Sequence, residues 1–234
     1  MTHIELCEQL SIELEQELLS RTEEILKIEN LFEISCRSDE DNISGIARKA
    51  LVLLLYAHFE GYCKQVFQHY ILYINRMRIP LSELKLGLVA ANLNTEFRKL
   101  FDTNHKPVDI KSFSGDGALQ QFGRKREFLI GYDTYVSRTA DISEAFINTE
   151  ANLKPDVLRR ILFQLELDCT AADIYLGVIH KLVNIRNSFA HGERIGYPSK
   201  MEYSEYRGAA FDTMKEIKLL VEAAFREQAF LKTA

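Results

Sequence analysis

The chain has 234 residues, 47% of them hydrophobic and 27% charged, so it can bury a core without disulfide or metal staples. Its longest apolar run, residues 50–57, is far too short to cross a bilayer, and the acidic start from Glu5 onward carries no export signal, so a cytoplasmic protein is expected. A net charge of −5 argues against coating nucleic acid non-specifically, because that rests on many Lys and Arg contacts to phosphate; it leaves room for one local basic site.

With 11 Gly and 4 Pro against plentiful Leu, Glu, Ile and Ala, the composition is that of an all-α fold with short connections. From residue 3 to about 32, Leu10, Leu14, Leu18, Ile25 and Phe32 recur at sums of three and four among glutamates, which predicts an amphipathic first helix. The polar stretch 35–42 ends it. Asn42 or Ser44 can cap a second helix that runs to about Arg78 and stops at Pro80, and its first half is apolar nearly all round, as a central helix requires.

A third helix is expected over residues 81–100. Residues 102–152 then carry Pro107, Gly115, Gly117, Gly123 and Gly131 among charged side chains and read as an irregular insertion with one short helix, 118–129, inside a single domain. Asn152 and Pro155 supply a cap and a first-turn proline for a helix to about 167, Thr170 opens another that ends at Gly192, and residues 203–232 form the last. The four cysteines, Cys7, Cys36, Cys63 and Cys169, lack the paired spacing of a zinc site and read as buried thiols in a reducing compartment. Neither metal nor cofactor is expected.

The most informative stretch is Lys181-Leu-Val-Asn-Ile-Arg-Asn-Ser-Phe-Ala-His-Gly-Glu193. Leu182, Ile185 and Phe189 lie three and four apart and should face the core, while Asn187 and His191 share another stripe beside Arg186. Gly192 suits the left-handed position after a helix end, which leaves His191 in the last turn at the rim. Taken alone, Arg-x4-His is a common coincidence, and the pair Arg98 and His105 is treated as one because no apolar stripe fixes one relative to the other.

Arg186 to His191 resembles the R-x4-6-H signature of the HEPN superfamily, including the polar residue after the Arg. The segment Leu53-Leu-Leu-Tyr-Ala-His-Phe-Glu-Gly-Tyr-Cys-Lys64 resembles the central helix of bacterial defence and toxin HEPN proteins, of the RiboL-PSP-HEPN or MAE type. The resemblance implies a bundle of four to five core helices, paired with a second copy so that two motifs face one cleft. It also implies metal-independent RNA cleavage leaving a 2′,3′-cyclic phosphate and a 5′-hydroxyl. General chemistry divides the labour in the same way: one group takes the proton of the attacking 2′-hydroxyl, another protonates the leaving oxygen, and one motif offers a single histidine. His191 is then the acid/base, Arg186 the phosphate clamp and Asn187 a positioner.

Glu60, on the central helix, either holds Arg186 from behind or sits on a helix rim, and His58 is either a satisfied buried histidine or a neighbour of the site. Where nucleotidyltransferase-silenced HEPN toxins carry a Tyr two residues after the motif His, this chain has Glu193. Arg76 and Arg78, Arg124-Lys125-Arg126 and Arg159-Arg160 are either an RNA groove or solvated surface, whereas Tyr62, Phe67, Tyr70 and Tyr73 recur at helical spacing as core. The expected partners are an RNA substrate, a second copy of the chain, and an antitoxin or defence-system protein. A rival reading is a non-catalytic HEPN module that binds nucleotides or regulates a partner effector. A metal-dependent phosphodiesterase is disfavoured because no ligand grouping has metal spacing.

Overall fold

A computed structural model describes residues 1–35, 42–113, 115–193 and 196–232; Cys36 lies outside them, as does the side chain of Asn42. The elements in chain order are α1 (His3–Ser35), α2 (Asn42–Arg76), α3 (Leu86–Asn92), α4 (Asn94–Phe101), α5 (Gly117–Val136), α6 (Pro155–Gln164), α7 (Asp173–Ala190) and α8 (Lys200–Arg226), with short 3-10 turns at Leu81–Glu83, Val108–Phe113 and Glu144–Phe146. Among the described residues β structure is limited to two isolated bridges, Pro80 with Thr139 and Leu84 with Leu231, and no helix is long and apolar enough to cross a membrane.

The central helix is α2, which packs against α1, α7 and α8. Leu51, Val52, Leu55, Tyr56, Phe59, Tyr62, Cys63, Val66, Phe67, Tyr70, Ile71, Tyr73 and Ile74 are all buried, so the helix is wetted only along a narrow stripe, as the density of its apolar residues requires. α1 presents Leu6, Leu10, Leu14, Leu18 and Ile25 to it. Each fully buried Leu, Ile or Phe contributes roughly 1.5–3 kcal/mol, which makes this four-helix packing the source of stability. The buried Glu29 carboxylate is answered from α8, by the Tyr203 hydroxyl at 2.5 Å and Arg207 at 2.7 Å, so no lone charge is stranded.

Tertiary contacts override local pattern at several places. The helix expected over residues 81–100 is broken into a 3-10 turn, α3 and α4. The chain tail is the cause: Lys85 N–H donates to the Phe230 carbonyl at 2.9 Å and Lys232 N–H to the Glu83 carbonyl at 2.8 Å, which holds Leu84 and Lys85 extended (ψ 153 and 150). The tail is free to do this because the last helix ends at Arg226 rather than near 232. Gln228 turns left-handed (φ 54) and Ala229 N–H closes on the Ala224 carbonyl at 2.8 Å, a helix-ending turn made without glycine. At its start α8 is longer than expected, because Ser199 and Glu202 form a reciprocal capping box.

The short helix placed at 118–129 is the 20-residue α5, capped by the Asp116 side chain accepting from Leu119 N–H at 3.0 Å and running through Gly131. α5 packs on α4, with Phe97 and Phe128 stacked at 5.2 Å. Arg124, grouped with surface arginines by sequence, is instead buried and donates to the Leu100 carbonyl at 3.0 Å. Nor are the cysteines uniformly buried: Cys63 is, while Cys7 on α1 and Cys169 in the loop between α6 and α7 are half-buried.

Candidate functional site

α7 is anchored by buried Leu182 and Phe189, and the Lys49 ammonium lies 5.0 Å from the centre of the Phe189 ring. This face fixes the rotation of the helix: Arg186, one turn after Leu182, meets α2 at Tyr56, and Asn187 reaches Asn152. The end of α7 has the two paired bonds of a Schellman turn: Gly192 N–H to the Phe189 carbonyl at 3.2 Å and Glu193 N–H to the Ser188 carbonyl at 3.0 Å. Gly192 has φ +73, a conformation that costs glycine little and other residues more. His191, just before it, is exposed. Among the described residues its imidazole has no hydrogen-bond partner, so it is available to a ligand.

Arg186 is held on four sides. Its guanidinium lies 4.2 Å from the centre of the Tyr56 ring, Nη1 donates to Asn187 Oδ1 at 2.9 Å, Nη2 donates to the Ala151 carbonyl at 3.5 Å, and Nη2 is 4.0 Å from Glu60 Oε2. Glu60 therefore sits beside Arg186, on the inner part of α2, with only 14% of its side chain exposed. Its other oxygen accepts from the Thr149 hydroxyl at 2.6 Å. Burial and the nearby Glu60 carboxylate together push the Tyr56 phenol well above its ordinary value, so it stays protonated, and its oxygen accepts from Leu153 N–H at 2.6 Å. Asn187 is tied as well, its amide donating to Asn152 Oδ1 at 3.3 Å.

His58 is not brought to this cluster. It faces α1, with Nε2 3.7 Å from Glu24 Oε2, and neither ring nitrogen has a hydrogen-bond partner. Burial lowers its pKa below the ordinary histidine value, which favours the neutral form at pH 7. The pair Arg98 and His105 is likewise separate: His105 Nε2 lies 2.6 Å from Glu127 in the insertion, in a crevice also lined by the buried Arg124. Arg159 is paired with Asp173 and Arg160 with Glu150, and Arg76 covers the Tyr73 ring. Among the described residues no group of three or more His, Cys, Asp or Glu could hold a metal ion.

Sequence reading missed Tyr56, Thr149, Ala151 and Asn152. Tyr56 stands one helical turn before Glu60, a spacing that puts both on one face of α2, and that signal was present. Asn152, expected to cap α6, does not: the cap position is Lys154, with Pro155 in the first turn, and the Asn152 side chain is spent on Asn187 instead.

The model of the RiboL-PSP-HEPN family matches residues 16–223. The chain belongs to this family. The match covers all of α2 to α7 and most of α1 and α8, so the arrangement described here, with α2 central and the Arg186–His191 segment at the end of α7, is a HEPN-type bundle. No curated protein matches the chain, and no solved structure does.

Proposed function

We propose that the chain is a metal-independent endoribonuclease of the HEPN type, acting in the cytoplasm as a homodimer, in antiviral defence or a toxin–antitoxin system. The observation that carries the reading is the contrast across the six residues 186–191 at the end of α7. Arg186 is fixed at the lip of the bundle by Tyr56, Asn187 and Glu60, while His191 stands exposed at the helix end, its ring without a partner among the described residues. A pre-aimed, permanently charged guanidinium suits the extra negative charge on phosphate when the neighbouring 2′-hydroxyl attacks. An exposed imidazole suits proton transfer, which needs a group titrating near neutral pH that can reach the reacting oxygen.

One chain supplies one such histidine, and the reaction asks for both a base and an acid. Two copies related by a twofold axis would supply a pair, with each Arg186 facing the same phosphate. Asn187, bound both to Arg186 and to Asn152, would set the angle of the guanidinium. The test is cleavage of total RNA by the purified protein in EDTA. Wild type should leave 2′,3′-cyclic phosphate ends, and His191→Ala and Arg186→Ala should each lower the rate by about a hundredfold or more. Equal rates for wild type and both variants would refute the assignment and favour the rival, a nucleotide-binding or interaction module that regulates a partner effector.

A further inference from the structure

We propose that residues 149–152, at the end of the insertion, form a positioning clamp for the Arg186–Asn187 pair, with Thr149 and Asn152 as positioning residues; this rests on the ribonuclease reading above. Arg186 and Asn187 are neighbours on α7, yet the groups that hold them from outside that helix come from a single turn 35 residues earlier and from one face of α2. The Thr149 hydroxyl, almost fully buried, donates to Glu60 Oε1 at 2.6 Å. Tyr56, one turn before Glu60 on α2, is itself held by Leu153 N–H at 2.6 Å. Glu60 is thereby fixed in one rotamer, and its second oxygen faces the guanidinium at 4.0 Å.

That 4.0 Å separation is an ion pair rather than a hydrogen bond. It orients the charge without consuming a donor, which leaves guanidinium N–H groups to turn toward a phosphate. The backbone of the same turn does the rest. Glu150 and Ala151 both lie in the left-handed region (φ 58 and 52), where residues other than glycine are strained, and consecutive residues of this kind persist only when their surroundings over-determine them. Arg160 provides that hold, binding Glu150 Oε1 at 2.7 Å and the Asn148 carbonyl at 3.4 Å, and Asn152 N–H closes on the Thr149 carbonyl at 3.0 Å.

The left-handed pair aims the Ala151 carbonyl at Arg186 Nη2 and brings Asn152 Oδ1 to the Asn187 amide. The turn therefore touches Arg186 and Asn187 and leaves the His191 ring untouched. A charge that must meet a developing transition state gains from being fixed in advance, while a proton carrier needs freedom to reach two oxygens.

The experiment compares Thr149→Val, Thr149→Ser, Asn152→Leu and Asn152→Asp with wild type by two readouts. One is kcat and KM on a single-stranded RNA oligonucleotide; the other is the NMR signal of the Arg186 Nε–H group, assigned with Arg186→Lys. Thr149→Val and Asn152→Leu should each lower kcat by about tenfold to a hundredfold with KM within about twofold, as expected when a reacting group is slightly misplaced. Both should shift the Arg186 signal, while Thr149→Ser and Asn152→Asp, which keep the donor or the acceptor, restore both readouts. Unchanged kcat together with an unshifted signal in Thr149→Val and Asn152→Leu would overturn the clamp. If wild type cleaves no RNA, the ribonuclease reading fails by itself, and the Arg186 signal alone then decides the clamp: moved by Val and Leu but not by Ser and Asp it stands, unmoved by all it falls.

Discussion

The bundle of α1, α2, α7 and α8 and the arm of residues 94–136 use apolar side chains in opposite ways. α2 alone buries four tyrosines and two phenylalanines completely, at 0% exposure. In the arm the only residues buried among those described are Pro107, Gln120, Gly123 and Arg124, while Phe101, Val108, Phe122, Leu129 and Ile130 are 65–78% exposed. The arm is held by half-buried aromatic pairs, Phe97 on Phe128 and Phe128 on Tyr135, and by the Arg124 donations to the Leu100 and His105 carbonyls. Helix is thus formed in both regions, but only the bundle has the interior that makes helices cooperative. Hydrogen exchange should protect α2 far more strongly than α5.

The largest effect that would break this comparison comes from truncating one ring in each region. Phe67→Ala, in the bundle, should cost about 3–5 kcal/mol, and Phe122→Ala, in the arm, should stay within about 0.5 kcal/mol. Urea midpoints measure both, and a comparable loss in Phe122→Ala would show that the arm carries global stability. A smaller effect sharpens the boundary. A Cβ at Gly123 would collide with Ile110 and lie 3.0 Å from Pro107, so Gly123→Ala should pry α5 from the preceding segment at a cost of about 1–3 kcal/mol. Because the arm contributes little to the core, that loss should appear as faster exchange across α5 with an almost unchanged melting temperature; a two-state shift of the whole protein would refute it.

The smallest effect concerns the bundle seam between α1 and α2. Burial depresses the pKa of His58 in the folded state, so as pH falls the unfolded chain takes up the proton first. Stability from this group is complete above the unfolded pKa of about 6.5, is lost as pH drops below it, and levels off once the folded pKa is passed. His58→Gln should therefore lose less stability than wild type between pH 7 and pH 5, by thermal denaturation. Parallel curves for the two proteins would mean that His58 is not held neutral.

Legibility in the sequence followed the same division. α1 and α2 were readable because a continuous apolar stripe survives any packing that buries it: Leu10, Leu14, Leu18 and Ile25 meet α2 as their spacing demanded. The end of α7 was readable for a different reason, since a left-handed glycine after a periodic run has one structural use, and Gly192 has it. The break after Glu83 was not, because nothing local forbids helix at Leu84 and Lys85; what extends them is a bond to Phe230, nearly 150 residues away. Glu60 could be narrowed by sequence to two roles and no further, because a carboxylate on an apolar helix reads alike whether its partner is an arginine or water.

By itself, then, the order of residues determined that the fold is helical, which helix is central, and that Arg186, Asn187 and His191 share one end of α7. Those properties depend on neighbours within a turn or two and on the sum of apolar area. The tertiary structure alone decided what grips Arg186. Thr149, Ala151 and Asn152 lie in a polar, strained turn with no periodicity, and their directions are set by Arg160, Tyr56 and Glu60 on other elements. A hydrogen bond between residues 89 positions apart leaves no trace in local pattern, because its geometry exists only after the core has closed.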